Sequence, residues 1–155
     1  MLSDAKLKEA VQKYDGANSE YKAILYACIR GGAKDVAKAT AIAMVLRSAA
    51  GFAFAGATAA LSNDFVIMTV NSDCLTFYVL NKWSFGADIE SSFAIPYAAI
   101  DRIKISRSLI WWKFGIRYEE NQKRCKLNVL IYIHTLGIKR QKENMQATVE
   151  YLETI

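Results

Sequence analysis

Several residue types that usually mark a catalytic or metal site are scarce in this chain of 155 residues. It has one histidine, His134, and three cysteines, Cys28, Cys74 and Cys125, which are far apart in the sequence. Zinc sites and Ser-His-Asp or Cys-His catalytic groups need several such side chains together, and no Cys-x-x-Cys pair or phosphate-binding Gly-Lys-Ser/Thr motif is present. We therefore predict a protein that is not an enzyme and has no metal, cofactor or small-molecule substrate.

Proline, linkers and long apolar runs are also scarce. The chain has a single proline and no Pro/Ser-rich linker, so we expect one domain over residues 1–155. Residues 1–14 are charged and lack the apolar stretch of a signal peptide. An uncharged run over 48–63 has 16 residues, fewer than the ~20 that a membrane-spanning helix requires. Cysteines scattered in apolar runs are typical of a reducing compartment, so we predict a cytoplasmic protein.

The basic residues are unevenly distributed along the chain. Residues 1–100 contain nine Lys or Arg and nine Asp or Glu, whereas residues 101–155 contain eleven and six. The last third therefore carries the whole formal net charge of +5. Such an excess can attract nucleic acid or an anionic membrane surface, although a net charge of this size is also common in ordinary soluble proteins.

Alternating apolar residues predict antiparallel β-strands through most of the second half of the chain. Two runs, 65–70 and 74–80, are separated by the turn residues 71–73, which is the signature of a hairpin. Other strands are predicted over 21–30, 88–95, 100–106, 109–118 and 125–133. In the strand over 109–118, the alternation predicts an apolar inward face that consists of Ile110, Trp112, Phe114, Ile116 and Tyr118.

Helical patterns precede the first strand and follow the last. Ser3 or Asp4 is suited to cap a short N-terminal helix whose apolar stripe includes Leu7 and Val11. Residues 139–155 place four apolar side chains on one helical stripe, namely Met145, Val149, Leu152 and Ile155. We expect this C-terminal helix to cover an open end or face of the sheet.

An alanine-rich insertion, residues 33–62, lies between the first two predicted strands. Twelve of the 29 residues from 33 to 61 are alanine, the strongest helix former, so we predict a helix over 34–47. Residues 48–62 include two glycines that weaken a helix, and the pattern leaves helix and loop both open. Small side chains of this kind allow close packing against the chain's own sheet or against a neighbouring copy.

The order of these patterns predicts an α+β fold: a barrel or sandwich of about seven antiparallel strands closed by a C-terminal helix, with a short N-terminal helix. This arrangement resembles the pleckstrin-homology-like (PH-like) fold, and most closely the small bacterial PH-like domains. The resemblance is carried by the hairpin over 65–80, the connection Ala-Ile-Pro-Tyr-Ala-Ala-Ile-Asp-Arg-Ile at 94–103 and the helix over 139–155. It implies a non-catalytic recognition or assembly module that binds proteins or forms rings.

One departure from the family limits what the resemblance implies about ligands. Lipid-binding PH domains have a tight basic loop between the first two strands, which binds phosphoinositide headgroups. Here the alanine-rich insertion takes that place, and it has only Lys34, Lys38 and Arg47 spread along it. The phosphoinositide site of the family is therefore not transferred to this chain.

The outward-facing residues of the last three strands form the constellation that we predict to bind a partner. They are Arg102, Lys104, Trp111, Lys113, Arg117, Lys126 and Tyr132, with Leu109 and Leu130 among them. Basic groups between aromatic side chains can bind single-stranded nucleic acid, anionic lipid or an acidic protein segment. If the protein's own N-terminal helices instead cover Trp111, Leu109 and Leu130, the charges are simply solvated.

Two functions are consistent with these patterns. The first is an interaction or assembly module that self-associates or binds a protein partner, through the alanine-rich insertion or the face around Trp111. The second is an anionic-surface binder, for membrane lipid or nucleic acid, through the basic residues of the last three strands. Salt distinguishes the two, because binding to an anionic surface weakens steeply as the salt concentration rises.

Overall fold

The described part of the chain is an antiparallel sheet with one helix before it in the sequence and one after it. The computed structural model describes residues 2–16, 20–30, 64–81, 86–120 and 122–155. Helix α1 spans Asp4–Asp15 and helix α2 spans Gln141–Glu153. The insertion predicted over 33–62, with its helix over 34–47, lies outside the described residues.

Seven strands lie between the two helices in the described residues. They are β1 (Ala23–Arg30), β2 (Asp64–Val70), β3 (Cys74–Leu80), β4 (Ile89–Pro96), β5 (Ile100–Arg107), β6 (Trp111–Glu120) and β7 (Lys123–Tyr132). A 3₁₀ turn at Tyr97–Ala99 joins β4 to β5. The predicted antiparallel strands, the hairpin over 65–80 and the two terminal helices are therefore confirmed.

The seven strands form one sheet in the order β4-β3-β2-β1-β7-β6-β5, and every neighbouring pair is antiparallel. The edge strands β4 and β5 do not pair with each other, so the sheet is not closed and the barrel prediction is wrong in that respect. A flat sheet of this size would separate its edge strands by ~29 Å. The turn from Pro96 to Ile100 spans at most ~15 Å, so the sheet must curl back on itself.

The main hydrophobic core fills the concave side of this curled sheet. Alternate side chains of the strands point into it because the side-chain direction of a strand has a period of two. Its fully buried members include Val66, Met68, Phe77, Phe93, Phe114, Ile116, Leu127 and Val129. Helix α2 adds Met145 and Val149 to the same cluster, so it covers the core as the sequence predicts.

Helix α1 packs on the opposite, convex side of β1 to β3. Its buried residues Leu7 and Val11 contact a second cluster that contains Ile24, Ile67 and Tyr78. Strands β1 to β3 are consequently buried on both faces, whereas α1 leaves the outer face of β5 to β7 uncovered.

The junction between the two halves of the sheet depends on two side chains of α2. In the described part of the chain, β1 pairs with β7 through residues 28–30, and the earlier backbone groups on that side of β1 have no strand partner there. The Oε1 atom of Gln141 accepts a hydrogen bond from the Tyr26 N–H (3.1 Å), and its Nε2 atom donates to the Tyr26 carbonyl. Asn144 donates to the carbonyl of Ile24 at 2.9 Å. Helix α2 thus takes the place of a strand along this part of β1.

Replacing Gln141 with alanine should destabilise the protein by about 2 kcal/mol, because it leaves the partly buried N–H and carbonyl of Tyr26 without these two hydrogen bonds. Chemical denaturation in urea measures this change. Gln146→Ala is the matched control, because Gln146 is exposed on the same helix, and we expect an effect below ~0.5 kcal/mol. Equal losses for the two variants would contradict the role given to Gln141.

Both ends of α1 are fixed by carboxylates. Asp4 accepts hydrogen bonds from the backbone N–H groups of Lys139 and Arg140, at 2.9 and 3.2 Å. A carboxylate in this position satisfies unpaired donors at the start of α2 and complements the positive end of its dipole. At the other end, the Tyr78 hydroxyl donates to Asp15. The Asp4 contacts therefore join α1, which packs on the convex side of the sheet, to α2, which covers the core. The Asp15 contact joins α1 to β3.

Two apolar residues that were expected to face the core are exposed instead. Ile110 is 61% exposed, because β5 and β6 stop pairing at Arg107 and Trp112 and the residues between them form the turn. The sequence alternation simply continues into that turn. Ile155 is 62% exposed, because α2 ends at Glu153 and the helical stripe ends with it.

Tyr97, in the turn between β4 and β5, connects this corner of the sheet to the β2–β3 hairpin. Its hydroxyl donates to the carbonyl of Asn71 at 2.7 Å, and its ring contacts Tyr151 edge to face at 6.2 Å. Burial, helped by the nearby Tyr151, raises the pKa of the Tyr97 hydroxyl well above its usual value. The folded protein therefore holds this proton to a higher pH than the unfolded chain does.

This difference predicts a loss of stability at alkaline pH. Above the usual tyrosine pKa of ~10 the unfolded chain releases the Tyr97 proton first, so further increases in pH favour unfolding. Tyr97→Phe should cost about 1 kcal/mol near neutral pH through the lost hydrogen bond, and this deficit should shrink near pH ~11. Urea denaturation of both proteins at the two pH values tests this. A deficit that does not change with pH would contradict it.

Candidate binding face on strands β5 to β7

The strand register brings the predicted binding residues together on the outer face of β5 to β7. Arg102 lies opposite Arg117 in the β5–β6 pair, and Arg117 lies opposite Lys126 in the β6–β7 pair. Trp111 lies opposite Tyr132 at the other end of the same face. Lys104 and Lys113 occupy positions between these rows. All seven predicted residues therefore share one surface.

A further basic side chain, Arg30, joins this surface from β1. Its Cα partner is Asn128 of β7, so it extends the row that Lys104 and Gly115 form on β5 and β6. The sequence gives no signal for this position, because the pairing of β1 with β7 joins residues about a hundred positions apart. We call Arg30, Arg102, Lys104, Lys113, Arg117 and Lys126 the basic face.

A depression of about 220 Å³ lies in the middle of the basic face. Its floor includes Gly115, which has no side chain, and five of the six basic residues line it together with Ser106 and Asn128. A second depression of about 250 Å³ adjoins it, with Arg30, Trp111, Lys113 and Tyr132 among its lining residues. An anionic group can therefore approach the strand backbone while basic side chains surround it.

The basic face brings like charges close together. Arg102, Arg117 and Lys126 occupy opposite positions on three neighbouring strands, an arrangement in which Cβ atoms are ~5 Å apart and like charges destabilise a sheet. Within the described ranges none of the six cations forms an ion pair with a carboxylate. The acidic residues beside this face are Glu119, which lies opposite Arg124, and the exposed Asp101, which precedes Arg102 at the bulge of β5. The arrangement favours binding of an anion.

Asn128 adds a polar group at the edge of the depression. Its Oδ1 atom is buried, has no hydrogen-bond partner among the residues that the structure describes, and lies 3.8 Å from the position that a Cβ atom at residue 115 would take. A buried acceptor of this kind is unfavourable until a donor reaches it. A ligand that presents a hydroxyl or N–H group beside its anionic group would satisfy it.

The N-terminal helix does not cover this surface, because α1 packs on β1 to β3. The alternative in which the N-terminal helices cover Trp111, Leu109 and Leu130 is therefore wrong for α1, whereas the helix predicted over 34–47 lies outside the described residues. Trp111 is half-buried, and Leu130 is buried in the floor beside it. Leu109, expected on the outward face, lies in the β5–β6 turn and is 94% exposed.

The residues considered for chemistry are not brought together. His134 is exposed in the segment after β7, whereas Cys125 is buried on the concave side of the sheet. Among the described residues, no three His, Cys, Asp or Glu side chains are grouped so that they could hold a metal ion. No helix in the same part of the chain is long and apolar enough to cross a membrane.

Comparison of the chain with protein-family models and with curated proteins finds no match to any of them.

Gly115 offers a test of the depression's geometry. A Cβ atom there would meet the Lys104 carbonyl oxygen at 3.7 Å, an ordinary contact, so Gly115→Ala should fit and stabilise the protein by about 0.5 kcal/mol through reduced entropy of the unfolded chain. Gly16→Ala is the control, because the φ angle of +87° at Gly16 strains any other residue. Thermal or urea denaturation measures both. A marked loss of stability in Gly115→Ala would show that the depression has no room for a Cβ atom at residue 115.

Proposed function

We propose that this chain is a non-catalytic recognition domain of the PH-like type that binds a polyanion through its basic face. The observation that carries the proposal is the convergence of six basic side chains from four strands on one face, five of them around one depression, without carboxylate partners in the described residues. The PH-like assignment is supported by two antiparallel meanders joined through β1 and β7, with a C-terminal helix over the core.

The chemistry of the face suits closely spaced phosphate or sulfate groups. Arginine presents a planar fork that binds two oxygens of such a group, and lysine contributes a compact positive charge. Binding would place negative charge between Arg102, Arg117 and Lys126 and relieve their mutual repulsion. Gly115 would let one anionic group reach the floor of the depression.

Self-association or binding of a protein partner is a second candidate, favoured by the exposure of Leu109 and Ile110 in the β5–β6 turn. Two copies that met through their basic faces would place like charges together. Assembly would therefore use this turn, and the basic face would remain free for an anion.

The proposal predicts that charge position matters more than net charge. Lys104→Gln combined with Lys113→Gln removes two charges beside the depression and should weaken binding to heparin or inorganic polyphosphate about tenfold. Lys6→Gln combined with Lys13→Gln removes the same charge from exposed positions of α1 and should have little effect. Salt-gradient elution from a heparin column and titration with polyphosphate measure both.

Two results would contradict the proposal. One is a wild-type protein that neither binds polyphosphate nor is retained on heparin at low salt. The other is an equal loss of binding in the two double variants, which would show that diffuse net charge, and not the basic face, attracts the anion.

A further inference from the structure

Exposed aliphatic side chains project from one end of the basic face. Leu109 and Ile110 in the β5–β6 turn are 94% and 61% exposed, and Leu136 in the turn after β7 is 80% exposed. We call these three residues the apolar tip. Leu109 and Ile110 are adjacent in the chain, and large aliphatic groups that lie together and are this exposed are typical of an interaction site.

The apolar tip has a defined backbone. The Ser108 N–H donates to the Trp111 carbonyl at 2.8 Å and closes the β5–β6 turn. The Ile133 N–H donates to the Ile110 carbonyl at 3.0 Å, so the segment that leads to Leu136 is held against that turn. The protein therefore presents these side chains on a fixed scaffold.

Aromatic and basic residues surround the apolar tip. Trp111 and Trp112 follow it directly and are half-buried, and Tyr132, opposite Trp111, is 38% exposed. The guanidinium of Arg107 lies 4.2 Å from the centre of a Trp112 ring. Residues 102–118 contain five Lys or Arg and no Asp or Glu. The tip is thus continuous with the basic face through Lys113.

The spatial order of the apolar tip, the aromatic residues and the basic face matches the layers of a bilayer that contains anionic lipids. Aliphatic groups enter the boundary of the acyl chains, Trp and Tyr rings prefer the level of the headgroups, and Lys and Arg contact headgroup phosphates. A nucleic acid would contact the basic residues through its phosphates, but it would not bury the exposed side chains of Leu109 and Ile110. We infer that the partner of the basic face is an anionic phospholipid membrane into which the apolar tip inserts. This inference depends on the proposed polyanion binding.

The test compares vesicles of phosphatidylcholine with and without phosphatidylserine in a sedimentation assay. The wild-type protein should bind only the vesicles that contain phosphatidylserine. Leu109→Ser combined with Ile110→Ser should weaken that binding about a hundredfold, because two aliphatic side chains no longer leave water. Both side chains are exposed, so the fold should be unchanged by near-ultraviolet circular dichroism.

A matched control separates the apolar tip from exposed apolar surface in general. Ile155 is 62% exposed, as Ile110 is 61% exposed, but it lies after the end of α2. Ile110→Ser should weaken vesicle binding about tenfold, and Ile155→Ser should leave it unchanged. Equal binding by both variants and the wild type would show attraction by charge without insertion and would overturn the inference.

Further outcomes distinguish failure of this inference from failure of the proposed function. Binding of wild-type protein to heparin or polyphosphate but not to phosphatidylserine vesicles would overturn the membrane inference and leave the proposed function intact. Binding to none of the three probes would overturn both. Light scattering tests whether the apolar tip instead binds a second copy of the chain. The inference is wrong if the wild-type protein is an oligomer and Leu109→Ser combined with Ile110→Ser makes it a monomer without changing vesicle binding.

Discussion

The structure depends on hydrogen bonds that α2 makes to the incompletely paired strand β1. Among the residues that the structure describes, β1 pairs with β2 along most of its length but with β7 only through residues 28–30. Gln141 and Asn144 satisfy backbone groups of the remaining part, and Asp4 of α1 in turn accepts hydrogen bonds from the N–H groups that lead into α2. Buried peptide groups are unfavourable without partners. These hydrogen bonds therefore fix the positions of α1, α2 and the curled sheet relative to one another.

The same junction determines the shape of the candidate site. Pairing of β1 with β7 places Arg30 beside Asn128, so the basic face combines side chains from both ends of the sequence. The packing of α1 on the convex side of β1 to β3 leaves the outer face of β5 to β7 uncovered by that helix. The two halves of one continuous sheet therefore differ: one supports the helix, and the other presents charge.

The basic face is unfavourable for the isolated fold and well suited to a ligand. Opposite like charges such as Arg102 and Arg117 destabilise a sheet, and glycine at position 115 contributes neither packing nor strand preference. An anion bound in the depression would reverse the electrostatic contribution, and by mass action it would stabilise the folded state. The same holds for the apolar tip. The exposed side chain of Leu109 does not stabilise the isolated protein, and its transfer from water to a partner would be favourable.

The sequence by itself determined the strands, the hairpin over 65–80 and the side chains that share the outer face of β5 to β7, because alternation with a period of two is a local property of a strand. It also indicated that Met145 and Val149 face the core. Only the tertiary structure decided that Arg30 joins the basic face and that Gln141 replaces a strand partner of Tyr26, a contact between residues 115 positions apart. It likewise decided that Ile110 is exposed, since the end of a strand depends on where its partner stops pairing. Such long-range contacts leave no periodic signal in the chain.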